Sequence, residues 1–249
     1  MMQKNMRFLA FGLFAFIFLS CSPQQKTTGT GAAIDPYHYS TTKKLIADNG
    51  AVVSAHPLAS KVGVNILKQG GNAIDAAIAT HLALAVVYPN AGNLGGGGFL
   101  VAHLSSGELV ALDFREMAPG EAHRDMYVDA DGTARTDKSQ DGHLSGGVPG
   151  SVAGLFAAHK YAKLPFEQLI RPAIELAEKG FTISDREAAS FNALQGDLRK
   201  LNTIMPVFVK DKWKTGDTLV QTDLANTLKR IQQKGAAGFY EGETARLIV

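Results

Sequence analysis

A chain of 249 residues that is 45% hydrophobic and 19% charged has the material for a packed core, which excludes a disordered polymer. Its formal net charge is +2, and both excess positives, Lys4 and Arg7, lie in a leader; the neutral body has no basic stripe and is expected to bind no nucleic acid. The single cysteine, Cys21, excludes an internal disulfide framework.

In chain order, residues 1–7 are a short basic head, and residues 8–20 an apolar run too short for a comfortable membrane span. Ser20 occupies a small-residue position, Cys21 follows, and residues 22–32 are polar. This is the layout of a bacterial lipoprotein signal, cut before Cys21, whose sulfur then carries lipid. An ordinary secretory signal and an uncleaved anchor are the competing readings. The expected organisation is a signal peptide at 1–20, a lipid-anchored flexible tether at 21–40 and a folded body at 41–249. Such a protein sits in the periplasm or at the cell surface and meets the membrane through its lipid.

Within the body, residues 51–57 (AVVSAHP) read as a short buried strand stopped by Pro57. A helix follows, with Val62, Ile66 and Leu67 at helical spacing and Gly70-Gly71 at its end. Asn72 is suited to cap the next helix, and Asp75 falls in its first turn, where negative charge favours the dipole. Residues 76–87 are apolar on nearly every face, so this helix is buried, with His81 inside it as a hydrogen-bonded core residue without catalytic role.

FLVAHL and ELVALDF flank SSG, which predicts a hairpin with Val110, Leu112 and Phe114 on its core face. Residues 129–142 read as a polar surface loop. Ser151 is placed to cap a helix with Val152, Leu155, Phe156 and His159 on one side. Pro172 predicts two short helices within residues 165–180, the proline in the first turn of the second and Gly180 closing it. Ser184 and Glu187 form a capping box for a helix towards Leu201. Leu224, Leu228 and Ile231 mark one face of a further helix that ends at Gly235. Residues 243–249 (ETARLIV) begin a helix that stops in mid-turn, which suggests a fragment. Strands early and helices later make an α+β pattern with no linker dividing the body.

Two places could carry chemistry. The four glycines at 95–98 lack the Lys-Ser or Lys-Thr of a P-loop and precede a strand rather than a helix, so they read as close packing, not a phosphate cradle. Arg115 ends a core strand between Asp113 and Glu116. An arginine there can grip a carboxylate with two parallel hydrogen bonds, its neighbours steadying it; from spacing alone a structural ion pair is the simpler reading. The seven histidines are scattered, and no pair has metal-ligand spacing.

Residues 70–101 (GGNAIDAAIATHLALAVVYPNAGNLGGGGFLV), 112–119 (LDFREMAP) and 145–155 (SGGVPGSVAGL) resemble, in order and spacing, the signature blocks of the γ-glutamyltranspeptidases; residues 239–249 resemble a later stretch of the same subunit. The resemblance implies an N-terminal-nucleophile hydrolase with a four-layer αββα sandwich, incomplete in this chain. It also implies a precursor that cuts itself into large and small subunits. A threonine at the start of the small subunit attacks the γ-glutamyl carbonyl of glutathione or a relative, and water, an amino acid or a peptide takes the glutamyl group. No cofactor is implied. The chain matches the front part of the large subunit; no threonine in it matches the catalytic position, so no catalytic residue is assigned. Arg115, the arginine of DFREMAP, is the site residue that carries over, gripping the substrate's α-carboxylate. The implied partners are the γ-glutamyl substrate and the small subunit of the same precursor. A reading from a different class is a non-catalytic, lipid-anchored module that binds γ-glutamyl or amino-acid ligands.

Overall fold

The computed structural model describes residues 46–249. The leader, Cys21, the tether and the first residues of the body lie outside them.

The core is a layer of helices. Helix α1 (Pro57–Lys68) starts where the Nδ1 atom of His56 accepts the Leu58 N–H at 3.2 Å and Pro57 fills a position that needs no donor. It ends before Gly70, whose φ of 93° suits glycine. Helix α2 (Ala73–Val87) begins with a reciprocal cap: Asn72 Oδ1 accepts from the Ile74 and Asp75 N–H groups, and Asp75 Oδ2 accepts the Asn72 N–H at 2.7 Å. It lies between α1 and helix α5 (Phe166–Lys179), which in turn packs on helix α8 (Thr222–Lys234). The face is built from Ile66, Ile78, Leu82, Leu169, Ile170, Leu228 and Ile231, all nearly inaccessible. Asp75 is fully buried there, and its two oxygens also accept the Lys163 and Leu164 N–H groups at 2.9–3.2 Å, which fastens the turn before α5 to the start of α2. Among the described residues no helix is long and apolar enough to cross a membrane.

Pro172 does not split α5, contrary to expectation. Leu169, Ile170 and Ile174 continue one buried stripe across the proline. At roughly 2 kcal/mol each, these three side chains outweigh a proline penalty of about 3 kcal/mol. Residues 51–57 are also not a strand. Residues 51–54 have no ladder partner among the described residues, Val53 is 93% exposed, and α1 begins at Pro57. The 129–142 loop contains a short helix, α3 (Thr136–Gln140), held by Arg135 bonds to Asp129 and Asp137.

The hairpin forms as expected: β1 (Phe99–His103) and β2 (Leu109–Asp113) pair antiparallel with Phe99 opposite Asp113, around Gly107 at φ 86°. Bonds between Gly98 and Phe114 in both directions extend the ladder by one pair. Val110 is buried, and Leu100 and Leu112 pack on the core. The opposite face, with Phe99, Val101 and Leu109, is open.

Helix α4 (Ser151–His159) follows, but Ser151 is its first helical residue and Gly150 its cap. The Gly96 carbonyl takes the Gly150 and Ser151 N–H groups at 2.7 and 2.9 Å, while the Ser151 hydroxyl donates to Asn93 at 3.3 Å. A backbone carbonyl thus satisfies two of the donors left unpaired at the helix start, while the Ala153 N–H, of the kind a capping side chain ordinarily meets, goes to the Tyr240 hydroxyl. A two-residue pair, β3 (Phe181–Thr182) with β4 (Thr218–Leu219), has no periodicity to announce it. The Ser184–Glu187 capping box is present and starts α6 (Asp185–Ala193); α7 (Gln195–Leu201) continues after Leu194. Helices α9 (Ala237–Tyr240) and α10 (Gly242–Ile248) complete the order.

Candidate functional site

The glycine run explains how one backbone stretch can lie so near another. A Cβ on Gly97 would sit 2.5 Å from the Phe114 carbonyl oxygen and 2.6 Å from the Arg115 Cα. A Cβ on Gly150 would collide with the Phe114 carbonyl, and one on Gly154 with the Phe114 ring. Three glycines from two distant segments therefore close around Phe114 and Arg115 and fix where β2 ends. Gly95 meets nothing within 4 Å, so the crowding belongs to the later members of the run.

Arg115 leaves β2 on the same side as Asp113, because residues two apart share a face of an extended chain. Asp113 Oδ1 accepts the Arg115 backbone N–H at 3.1 Å and its Nε–H at 3.3 Å; Oδ2 accepts from Nη2 at 3.2 Å. The guanidinium carbon lies 4.9 Å from the centre of the Phe99 ring. Its hydrogen bonds to Arg115, first from the side chain and then from the backbone, hold the Asp113 carboxyl below the usual range, and Asp113 raises the guanidinium in return. Asp113 occupies one edge of the guanidinium. The Nη1 edge bonds no other side chain among the described residues, and the Arg115 side chain is 62% exposed.

Glu116, expected to help steady Arg115, does not bond it. Its stem lies against Gly147, and its charge adds, after that of Asp113, to what raises the guanidinium. The orientation is supplied by Asp113 and Phe99.

Arg115 lines a cleft of about 490 Å³. Its far side is the 148–150 segment, held to Met117 by paired backbone bonds of 2.8 and 3.1 Å, together with Tyr240. Neither Tyr240 nor the 148–150 wall was picked out by sequence reasoning; their one signal was membership of the motif blocks at 145–155 and 239–249. Among the described residues no cluster of three or more His, Cys, Asp or Glu could hold a metal ion.

A second, roomier cleft of about 670 Å³ lies between residues 49–54 and α2. His81 lines it. Burial lowers its pKa and a bond with the Asn93 backbone opposes the shift. Its Nε2 atom is buried with no hydrogen-bond partner, so the expectation of a satisfied core histidine holds for only part of the ring.

Residues 59–249 match the family model of gamma-glutamyltranspeptidase. The glutathione hydrolase proenzyme of Pseudomonas sp. (strain A14) is 45% identical over 236 residues, which take in 89% of this chain and 39% of that protein. The crystal structure of Helicobacter pylori gamma-glutamyltranspeptidase superposes with a TM-score of 0.79 at 48% identity, over 82% of this chain and 60% of that one. The Bacillus anthracis transpeptidase CapD gives 0.65 at 38% identity, over 81% of this chain and 64% of its own. The chain spans about two fifths of the length of the curated relatives it matches. These neighbours bear out the α+β, N-terminal-nucleophile hydrolase expectation for an incomplete portion: the described residues hold a helical layer and two small antiparallel pairs, not a closed αββα sandwich.

Proposed function

The chain belongs to the γ-glutamyltranspeptidase family, and we propose that it is part of a glutathione hydrolase precursor whose mature enzyme cleaves γ-glutamyl amides. In this reading a threonine hydroxyl from the small subunit attacks the γ-glutamyl carbonyl, and the glutamyl group passes through an acyl-enzyme to water, an amino acid or a peptide. This chain supplies recognition. Arg115 grips the α-carboxylate of the glutamyl group through the guanidinium edge that Asp113 leaves open.

One observation supports that role above the others. The fork is already oriented by a carboxylate and an aromatic ring, yet it retains free donors beside a cleft. A fork fixed before binding loses less entropy when a planar carboxylate arrives. In the full-length enzyme, Arg115→Ala is expected to raise the KM for a chromogenic γ-glutamyl anilide on the order of 100-fold, the loss of about 3 kcal/mol of charge-assisted bonding. The melting temperature should hardly move, because exposed ion pairs add little stability. An unchanged KM in the folded variant overturns the assignment.

We also propose that Cys21 is lipidated and tethers the protein at the periplasmic or outer cell surface. The reading is supported by a lone cysteine after a small residue and an apolar run. Cells fed an alkynyl fatty acid should label the wild-type protein and not Cys21→Ser; equal labelling of the two refutes it.

A further inference from the structure

The cleft wall beside the Arg115 backbone is irregular, and, besides its backbone bonds to Met117 and Gly96, a hydroxyl from a distant helix holds it. Tyr240 Oη donates to the Pro149 carbonyl at 2.9 Å and accepts the Ala153 N–H at 3.1 Å. It thereby spans the junction between the 148–150 segment and the first turn of α4. That junction touches the arginine's own backbone: Gly150 leaves no room for a Cβ beside the Phe114 and Arg115 carbonyls, and Val148 pairs with Met117, two residues beyond Arg115. Arg115, Pro149, Gly150, Ala153 and Tyr240 all line the one cleft.

Tyr240 is firmly seated. It ends α9, where Gly238 presses on the Arg230 carbonyl of α8, too closely for any side chain, and Phe239 is buried edge-on to the tyrosine ring at 5.1 Å. Burial raises the pKa of the hydroxyl, against the opposing bond from Ala153, so it remains a donor at neutral pH.

We propose that Tyr240 is a positioning residue for Arg115. Its hydroxyl clamps the Pro149 carbonyl to the Ala153 amide and so fixes the wall on which the arginine's backbone rests. The proposal rests on the reading of Arg115 as the carboxylate grip. A tyrosine that served only fold stability would lower the melting temperature without a selective effect on substrate binding. One that acts through Arg115 must lose its effect when the fork is removed.

The test uses the full-length enzyme and a chromogenic γ-glutamyl anilide. Tyr240→Phe keeps the ring and deletes the clamp; KM should rise about fivefold, the worth of one ordinary hydrogen bond, with kcat within about twofold. In an Arg115→Lys background the same change should leave KM where Arg115→Lys alone puts it. Ile66→Val, a core trim in α1, should lower the melting temperature and leave KM unchanged. The proposal is overturned by an unchanged KM in Tyr240→Phe, by a full fivefold effect that persists in the Arg115→Lys background, or by an equal rise in Ile66→Val. Failure of the underlying reading shows elsewhere: Arg115→Lys alone would then have a normal KM, and the proposal would fall with it.

Discussion

Two carboxylates, the buried Asp75 and the half-buried Glu187, show how single residues hold this body together. Each oxygen of Asp75 accepts two backbone N–H groups, from Asn72 and Lys163 on one side and from Lys163 and Leu164 on the other. Glu187 caps α6 through Ser184 and also takes the Nε2–H of His56 at 3.1 Å, while His56 Nδ1 caps α1. Burial pushes the Glu187 pKa up, but the bonds from His56 and Ser184 together bring it below the ordinary glutamate value. A carboxylate whose pKa is depressed on folding adds stability above its unfolded pKa and loses it as pH falls through the folded one. Wild type should therefore melt above Glu187→Gln by a constant margin from about pH 7 to pH 5, and the margin should close below about pH 4.5. A margin that stays constant to pH 3 in thermal melts would contradict this. The Ser184–Glu187 box was legible as a three-residue spacing and Asn72 as a cap, but Asp75 was read only as a charge for the helix dipole, not as the other half of a box. The long-range partners of the two carboxylates were not legible: 88 residues separate Asp75 from Lys163, and 131 separate His56 from Glu187.

At the scale of the element, α5 sets a local rule against a tertiary one. The proline rule is correct as local chemistry, since Pro172 cannot donate to the preceding turn. It was overridden because the residues on both sides belong to a single buried stripe. Pro172→Ala restores one intrahelical hydrogen bond and gives back some unfolded-state freedom, so the net gain should be about 2 kcal/mol. Urea denaturation should show a raised midpoint; a lowered one would mean that the packing of α5 depends on the proline. The hairpin was read correctly because period-two alternation and a glycine turn are both local signals. The cap of α4 was missed for the opposite reason. Its acceptor is the Gly96 carbonyl, and no side-chain rule points from residue 151 to the backbone of residue 96.

For the whole molecule, the motif blocks were enough to identify the family and to pick out Arg115. What covers the remaining surfaces could not be read from them. Phe99, Val101 and Leu109 form an open apolar face at 64, 85 and 78% exposure, and a second apolar cleft runs beside residues 49–54. Surfaces of this kind are uncommon on soluble monomers. Residues 1–249 produced alone are expected to bind a hydrophobic dye, to self-associate and to release no chromophore from a γ-glutamyl anilide. A monodisperse, dye-silent chain would show that these faces are tolerated in water, and turnover would place a nucleophile within it.

The crowding around Phe114 and Arg115 also bears on how such an enzyme can be altered. With Gly97, Gly150 and Gly154 already at the limit of approach, even a methyl group cannot be introduced there by degrees. Directed evolution of donor preference would have to work at the cleft's exposed side chains, Met117 and Val148, which are 72 and 45% accessible.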